Sequence, residues 1–270
     1  MTAKGQQPDW SRVAAGFDLW LPQLAPVGAR LLDALGARPG ERVLDVACGT
    51  GEPALSLARA QRDVRVTGVD AAEPMVEVAR RKAREQEIAN AEFRTMAAER
   101  LDFPDASFDR VVCRFGVMLF DDPLAGVREV RRVLRPGGRF AFAVWSRAEL
   151  MPNCLWAYEV FEGRIPQEAY PNLHGVTSLG EPERVEQLAR AAGFGDAAVT
   201  EHLFDFAFED FDSYWDMVED SGVMARQYDA LPAHERPAIR EGVRARAAPY
   251  LGAGGLRVPH GFLLAVVHRD

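Results

Sequence analysis

The chain has 270 residues, 48% of them hydrophobic and 27% charged, with a formal net charge of -8 at pH 7. That length supports one large α/β domain or a core with an elaborated cap, and the acidic balance argues against a long basic groove for nucleic acid. Cys48, Cys113 and Cys154 are widely spaced, with no CxxC pair or histidine-rich cluster, so neither a disulfide framework nor a metal site is indicated; Cys48 and Cys113 read as packing residues.

The N-terminus lacks an apolar signal core, and no apolar run approaches membrane-spanning length. A soluble, cytoplasmic protein is the expectation, with a small-molecule substrate, no nucleic acid and no membrane as partners; a homodimer stays open.

Residues 10–36 set Trp10, Phe17, Trp20, Leu24, Val27, Leu31 and Leu35 at helical spacings, which predicts one or two helices stopped by Gly36. Pro39-Gly40 turns the chain into a first strand. Val43-Leu44-Asp45-Val46 has the β-branched and apolar residues of a strand covered on both faces. Gly49 and Gly51 then permit a sharp turn and close approach of the backbone to a ligand. Pro53 suits the first turn of the next helix, whose free N–H groups face that ligand.

Gly49-x-Gly51-x-x-Ala54 satisfies the dinucleotide-binding fingerprint, with Asp70 at the matching distance after a second strand over 64–69. Asp45 tells against a nicotinamide cofactor. A carboxylate at the end of the first strand repels a pyrophosphate and attracts a cationic amino acid.

The string D-x-A-C-G-T-G over 45–51 strongly resembles the first motif of class I S-adenosylmethionine-dependent methyltransferases. The resemblance implies that Asp45, Ala47, Gly49 and Gly51 belong to the cofactor site and that Asp70 accepts hydrogen bonds from both ribose hydroxyls. It implies too that Ala71 and Met75 pack the adenine. It also implies that the helices before the first strand fold over the site as a lid. Phe17 and Trp20 then either cover the ligand or pack those helices on the core.

A charged helix over 74–87 has an apolar stripe of Met75, Val78 and Ala79, and a third strand spans 91–95. The loop 96–109 is similar to the one in which the family places an Asp on the adenine amino group. Here that position is Ala97, a departure that leaves backbone contacts from Ala97 and Ala98 and removes or displaces the amino contact.

A fourth strand over 109–113 leads to Arg114-Phe115-Gly116 at the carboxyl edge, where open parallel sheets bind ligands. The family's nucleic-acid enzymes carry Pro-Pro-aromatic or Pro-Cys sequences here, and this chain has neither. Arg114 bonds the cofactor through its backbone, offers a cation to an acidic substrate, or forms an ion pair within the sheet.

Leu124, Val127, Val130 and Leu134 make an amphipathic helix ended by Pro136-Gly137-Gly138, and a fifth strand runs from 139 to Trp145. V-L-R-P-G-G-R-F is a second strong point of resemblance, which in all covers about residues 40–147. Residues 148–180, with Trp156, Tyr158, Tyr170 and His174, read as an insertion roofing a substrate pocket. A helix opened by Glu181-Pro182 and closed by Gly193, a sixth strand over 197–208 and a late strand over 262–267 complete the plan.

The expected fold class is therefore α/β, with a Rossmann-like seven-stranded sheet of order 3-2-1-4-5-7-6 whose last strand is antiparallel, helices on both faces and a helical lid. Its divisions are a lid over 1–36, a cofactor core over 37–147, a cap insertion over 148–180, and the rest of the core over 181–270 with a helical insertion at about 211–258.

The implied activity is methyl transfer from S-adenosylmethionine, giving S-adenosylhomocysteine, to a small hydrophobic or aromatic metabolite. Two other readings stay open: a same-fold enzyme of non-methylating chemistry such as cyclisation, and a nonenzymatic binding subunit. Alignment of the reactants is most of the catalytic work, so no fixed triad is sought. Of the five histidines that could supply a base, His174, His202, His234, His260 and His268, His174 is the expected one, with Tyr170 as its neighbour. Phe17, Trp20, Phe115, Trp145 and Tyr170 are the expected lid and substrate residues.

Overall fold

The structure, a computed structural model, describes residues 9–270; residues 1–8, the start of the expected lid, lie outside the described residues. Five parallel strands make its centre: β1 (Arg42–Val46), β2 (Arg65–Asp70), β3 (Ala91–Thr95), β4 (Phe108–Arg114) and β5 (Leu134–Trp145). Then come β6 (Ala198–Phe208), a two-residue β7 (Leu251–Gly252) and β8 (Gly255–His268). The sheet order is β3-β2-β1-β4-β5-β8-β6, with β7 paired to β8. β8 is antiparallel to both β5 and β6, so it fills the place expected of a seventh strand.

The helices are α1 (Trp10–Val13), α2 (Leu21–Leu35), α3 (Ala54–Ala60), α4 (Glu73–Glu85), α5 (Pro123–Val133), α6 (Pro152–Phe161), α7 (Leu173–Val176), α8 (Pro182–Ala191), α9 (Phe211–Asp220), α10 (Ala225–Ala230) and α11 (Arg236–Ala247). In α2 the buried Leu24, Val27, Leu31 and Leu35 lie on one stripe against β4 and β5. Each such side chain contributes roughly 1.5–3 kcal/mol by leaving water. Gly36 ends the helix at φ 58°, its N–H donating to the Leu32 carbonyl at 3.1 Å. No helix among the described residues is long and apolar enough to cross a membrane.

Two boundaries differ from expectation. Pro136-Gly137-Gly138 does not end α5. The helix stops at Val133, Leu134 is already extended, and the Pro-Gly-Gly run forms an irregularity inside β5 where the pairing with β4 shifts between Phe108 and Arg110. The helical insertion closes near residue 250 instead of 258, because Leu256 and Val258 alternate inward on β8, opposite Phe208 and Phe206.

The chain winds from β1 outward to β3 and returns to β4 on the other side of β1. This reversal opens a crevice at the carboxyl ends of β1 and β4, where ligands bind in such sheets. Over it lie α1 and the short 3-10 turn Phe17–Trp20 from the N-terminal side, and α6, α7 and Val223, between α9 and α10, from the later chain.

Candidate active site

The glycine turn is held by two acidic side chains. Gly49 N–H donates to Asp70 Oδ2 and Ala72 N–H to Asp70 Oδ1, both at 2.9 Å, which fixes the carboxylate at the tip of β2. Ala54 N–H, at the start of α3, donates to Asp45 Oδ2 at 3.1 Å, and Asp45 Oδ1 is buried with no partner. Ala47 follows β1 in the left-handed region at φ 56°, and Phe115 does the same after β4 at φ 59°. Non-glycine residues in this region carry strain that the surroundings must hold, and they concentrate at functional sites.

Between these turns lies a cavity of about 610 Å³. One half is bordered by Ala47, Gly49, Asp70, Ala71, Met75, Ala97 and Ala98, and the other by Trp20, Phe115, Trp145, Phe206 and His260. Arg114 and Glu52 border it too. Phe115 and Trp145 stack at 3.7 Å, and Trp20 lies 5.8 Å from Phe206. Phe17 closes the glycine side: a Cβ on Gly49 would sit 3.9 Å from its ring. Asp18 secures that segment, accepting from Thr50 Oγ1 at 2.5 Å and pairing with Lys82 at 3.0 Å.

Four expected site residues stand elsewhere. Asp45 lies beneath the turn, fully buried, and does not border the cavity. Gly51 serves packing: at φ 104° a Cβ there would meet Leu55 Cδ1 at 2.7 Å and Ala79 Cβ at 3.2 Å. His174 is exposed on α7, outside the cavity, its ring edge-on to Tyr158. Tyr170 also stays out of the cavity. Its hydroxyl accepts from the Gly163 N–H at 2.6 Å, and its ring packs on Tyr158 instead of reaching His174. A polar side chain on a short surface helix finds water more readily than a pocket.

Several further residues border the cavity, among them His260, one of the five histidines considered as a base. Phe206 and His260 face each other on β6 and β8, 3.6 Å apart and stacked; Asn153 and Cys154 come from α6, and Glu99 from the loop after β3. The alternation along 204–208 was the available signal for Phe206. His260 follows a proline, which hid its strand.

Burial shapes the charges. It pushes the Asp45 carboxyl up to about 8, opposed by the positive charge of Arg114 and the Ala54 N–H. The same desolvation raises Asp70 against its two backbone N–H donors, and lowers the Arg114 guanidinium against the pull of Asp45 and Glu52. His260 is brought down to about 4, chiefly by burial. Among the described residues no group of three or more His, Cys, Asp or Glu is placed to hold a metal ion.

A Rossmann-like sheet with one antiparallel strand set between β5 and β6, and a glycine turn tied to an acidic β2 tip, defines a class I S-adenosylmethionine-dependent methyltransferase, and the chain belongs to that family. A methyltransferase domain model matches residues 43–138. The chain is similar to the demethylmenaquinone methyltransferase of Deinococcus radiodurans, 35% identical over 212 residues that cover 71% of this chain and 86% of that one. It is also similar to the demethylmenaquinone methyltransferase of Thermus thermophilus, at 39% identity over 68% of this chain and 90% of the relative. In fold it resembles the YcgJ protein of Bacillus subtilis, with a TM-score of 0.62, 23% identity, and coverage of 91% of this chain and 99% of the other. The protein is thus a methyltransferase with S-adenosylmethionine as its cofactor, which decides against the nicotinamide and nonenzymatic readings of the glycine turn.

Proposed function

We propose that the enzyme methylates a small hydrophobic or aromatic metabolite held against Trp20, Phe115, Trp145 and Phe206. One cavity joins the Asp70 end of the glycine turn to that aromatic wall, and this juxtaposition carries the reading. Apolar walls with few polar groups suit a flat, poorly hydrated acceptor.

The residues present fit the cofactor. Asp45, buried behind the glycine turn with one oxygen unpartnered, keeps its proton to about pH 8 without ligand, and the cationic amino-acid end of S-adenosylmethionine draws it into its ionised form. Asp70 retains lone pairs for ribose hydroxyls beyond the two N–H groups it already accepts. Ala71, Met75, Ala97 and Ala98 line an apolar stretch of the cavity suited to a base, and Ala97 contributes no carboxylate to it. When bound, the cofactor supplies a methyl group on a sulfonium, an electrophile that needs no further activation.

What remains for the protein is alignment and exclusion of water. The segment 10–36 acts as a lid, latched by Asp18 to the glycine turn through Thr50 and to α4 through Lys82. α6 and α7 act as the roof, contributing Asn153, Cys154 and Val176. An assay with labelled S-adenosylmethionine against phenols, aromatic amines, carbon acids and cell-extract acceptors is expected to give methylated products confined to aromatic or apolar acceptors. Products confined to small charged acceptors, or none at all while S-adenosylhomocysteine binds, would overturn this.

A further inference from the structure

We infer that His260 is the specificity-determining hydrogen-bond acceptor of the aromatic half of the cavity, taking the O–H of a hydroxylated aromatic ring; the inference rests on the methyl-acceptor reading above and names the group by which the acceptor is recognised. His260 is 1% exposed, on β8. Its Nδ1 lies 2.9 Å from the Val258 carbonyl oxygen, which only accepts, so Nδ1 carries the hydrogen and Nε2 carries a lone pair. Nε2 is buried and has no partner in the protein.

The ring itself borders the cavity, stacked on Phe206 at 3.6 Å and 5.9 Å from Trp145. Trp20, whose ring lies 5.8 Å from that of Phe206, also borders the cavity and holds a buried, unpartnered Nε1–H. The ring of Phe206 thus neighbours both an orphan acceptor and an orphan donor. A buried donor or acceptor left without a partner is unfavourable, and the cavity is where a partner can enter. A hydroxylated aromatic ring donates its O–H to His260 and stacks on the rings beside it.

Burial also keeps the imidazole neutral, so Nε2 is an acceptor throughout the neutral pH range. A group so reluctant to take a proton recognises a donor and is poorly suited to storing one.

The test uses the full-length protein saturated with S-adenosylhomocysteine, and phenol and toluene as probes of equal shape with and without a donor. Affinities are measured by NMR titration for the wild type and for His260→Phe, and the imidazole 15N resonances are followed in the wild type. The phenol-over-toluene preference is expected to fall about fivefold in the variant, and Nε2 of the wild type to shift with phenol and not with toluene. An unchanged preference in a folded variant, an Nε2 resonance indifferent to the donor, or binding of neither probe would overturn the inference. Failure of the methyl-acceptor reading looks different: no methylated product from any aromatic acceptor, while the phenol preference and its dependence on His260 persist.

Discussion

Replacing Asp45 by Asn separates what this carboxyl costs the fold from what it does for the cofactor. The folded protein keeps the Asp45 proton to about pH 8, whereas the unfolded chain gives it up near 3.8. Rising pH across that interval therefore destabilises the wild type, because the native state is the one that holds the extra proton. At about 1.4 kcal/mol per pH unit, full ionisation corresponds to roughly 6 kcal/mol, and halving this for the relaxation that follows burial of a charge leaves about 3 kcal/mol.

Asn retains an oxygen for the Ala54 N–H and never ionises. The variant without ligand is expected to melt roughly 6–10 °C above the wild type at about pH 9, with the gap shrinking to under about 1 kcal/mol near pH 5. Affinity for S-adenosylhomocysteine should fall about tenfold or more, since the carboxyl that ionises in response to the ligand's cation is gone. In the wild type, binding near pH 7 should release protons as that cation draws Asp45 into its ionised form, read as a calorimetric heat that depends on the buffer. Equal melting temperatures at high pH together with equal affinities would refute the reasoning.

Other substitutions probe other parts of the site. Gly116→Ala would place a Cβ 2.5 Å from Ala47 Cβ and 2.7 Å from Cys113 Sγ, forcing apart the two turns that frame the cavity. Thermal denaturation should show a loss of about 1–3 kcal/mol, with weaker cofactor binding. Asp18→Ala releases the latch to Thr50 and Lys82. Stability should change by under about 1 kcal/mol, while hydrogen exchange over 17–20 quickens and the ligand dissociates several times faster by stopped flow. His174→Ala, at an exposed position outside the cavity, should leave turnover within about twofold of the wild type. A larger loss would return that residue to the mechanism.

The sheet and the cofactor half were legible because their signals are local. The β1 run, the glycine turn and the Asp70 tip sit within thirty residues of one another, and each follows from strand burial or backbone freedom. Asp45 was also visible, but only its chemistry: that it lies under the turn instead of facing the ligand depends on α3 starting where the Ala54 N–H can reach it.

The aromatic wall was legible in part: Trp20, Phe115 and Trp145 were expected lid and substrate residues and border the cavity, whereas Phe206 and His260 were not expected there. Trp20, Phe115, Trp145, Phe206 and His260 come from five separate elements brought together by β8 inserting between β5 and β6. Pro259 made 255–261 read as something other than strand. It is tolerated because, past the Trp145–Phe262 pair, β8 is paired to β6 and no longer to β5, leaving that stretch as an edge. His174 was favoured for its place in an insertion, yet the fold turns it outward.

The measurement closest to the centre of this account is a calorimetric titration of the wild type and of Asp70→Asn with S-adenosylhomocysteine, with NADH as the competing cofactor. Binding of S-adenosylhomocysteine by the wild type, no heat from NADH, and a loss of about tenfold or more on removing the charge at the β2 tip are the predicted results. Failure of the wild type to bind S-adenosylhomocysteine, or equal affinity in the folded variant, would contradict the assignment of this cavity as the cofactor site.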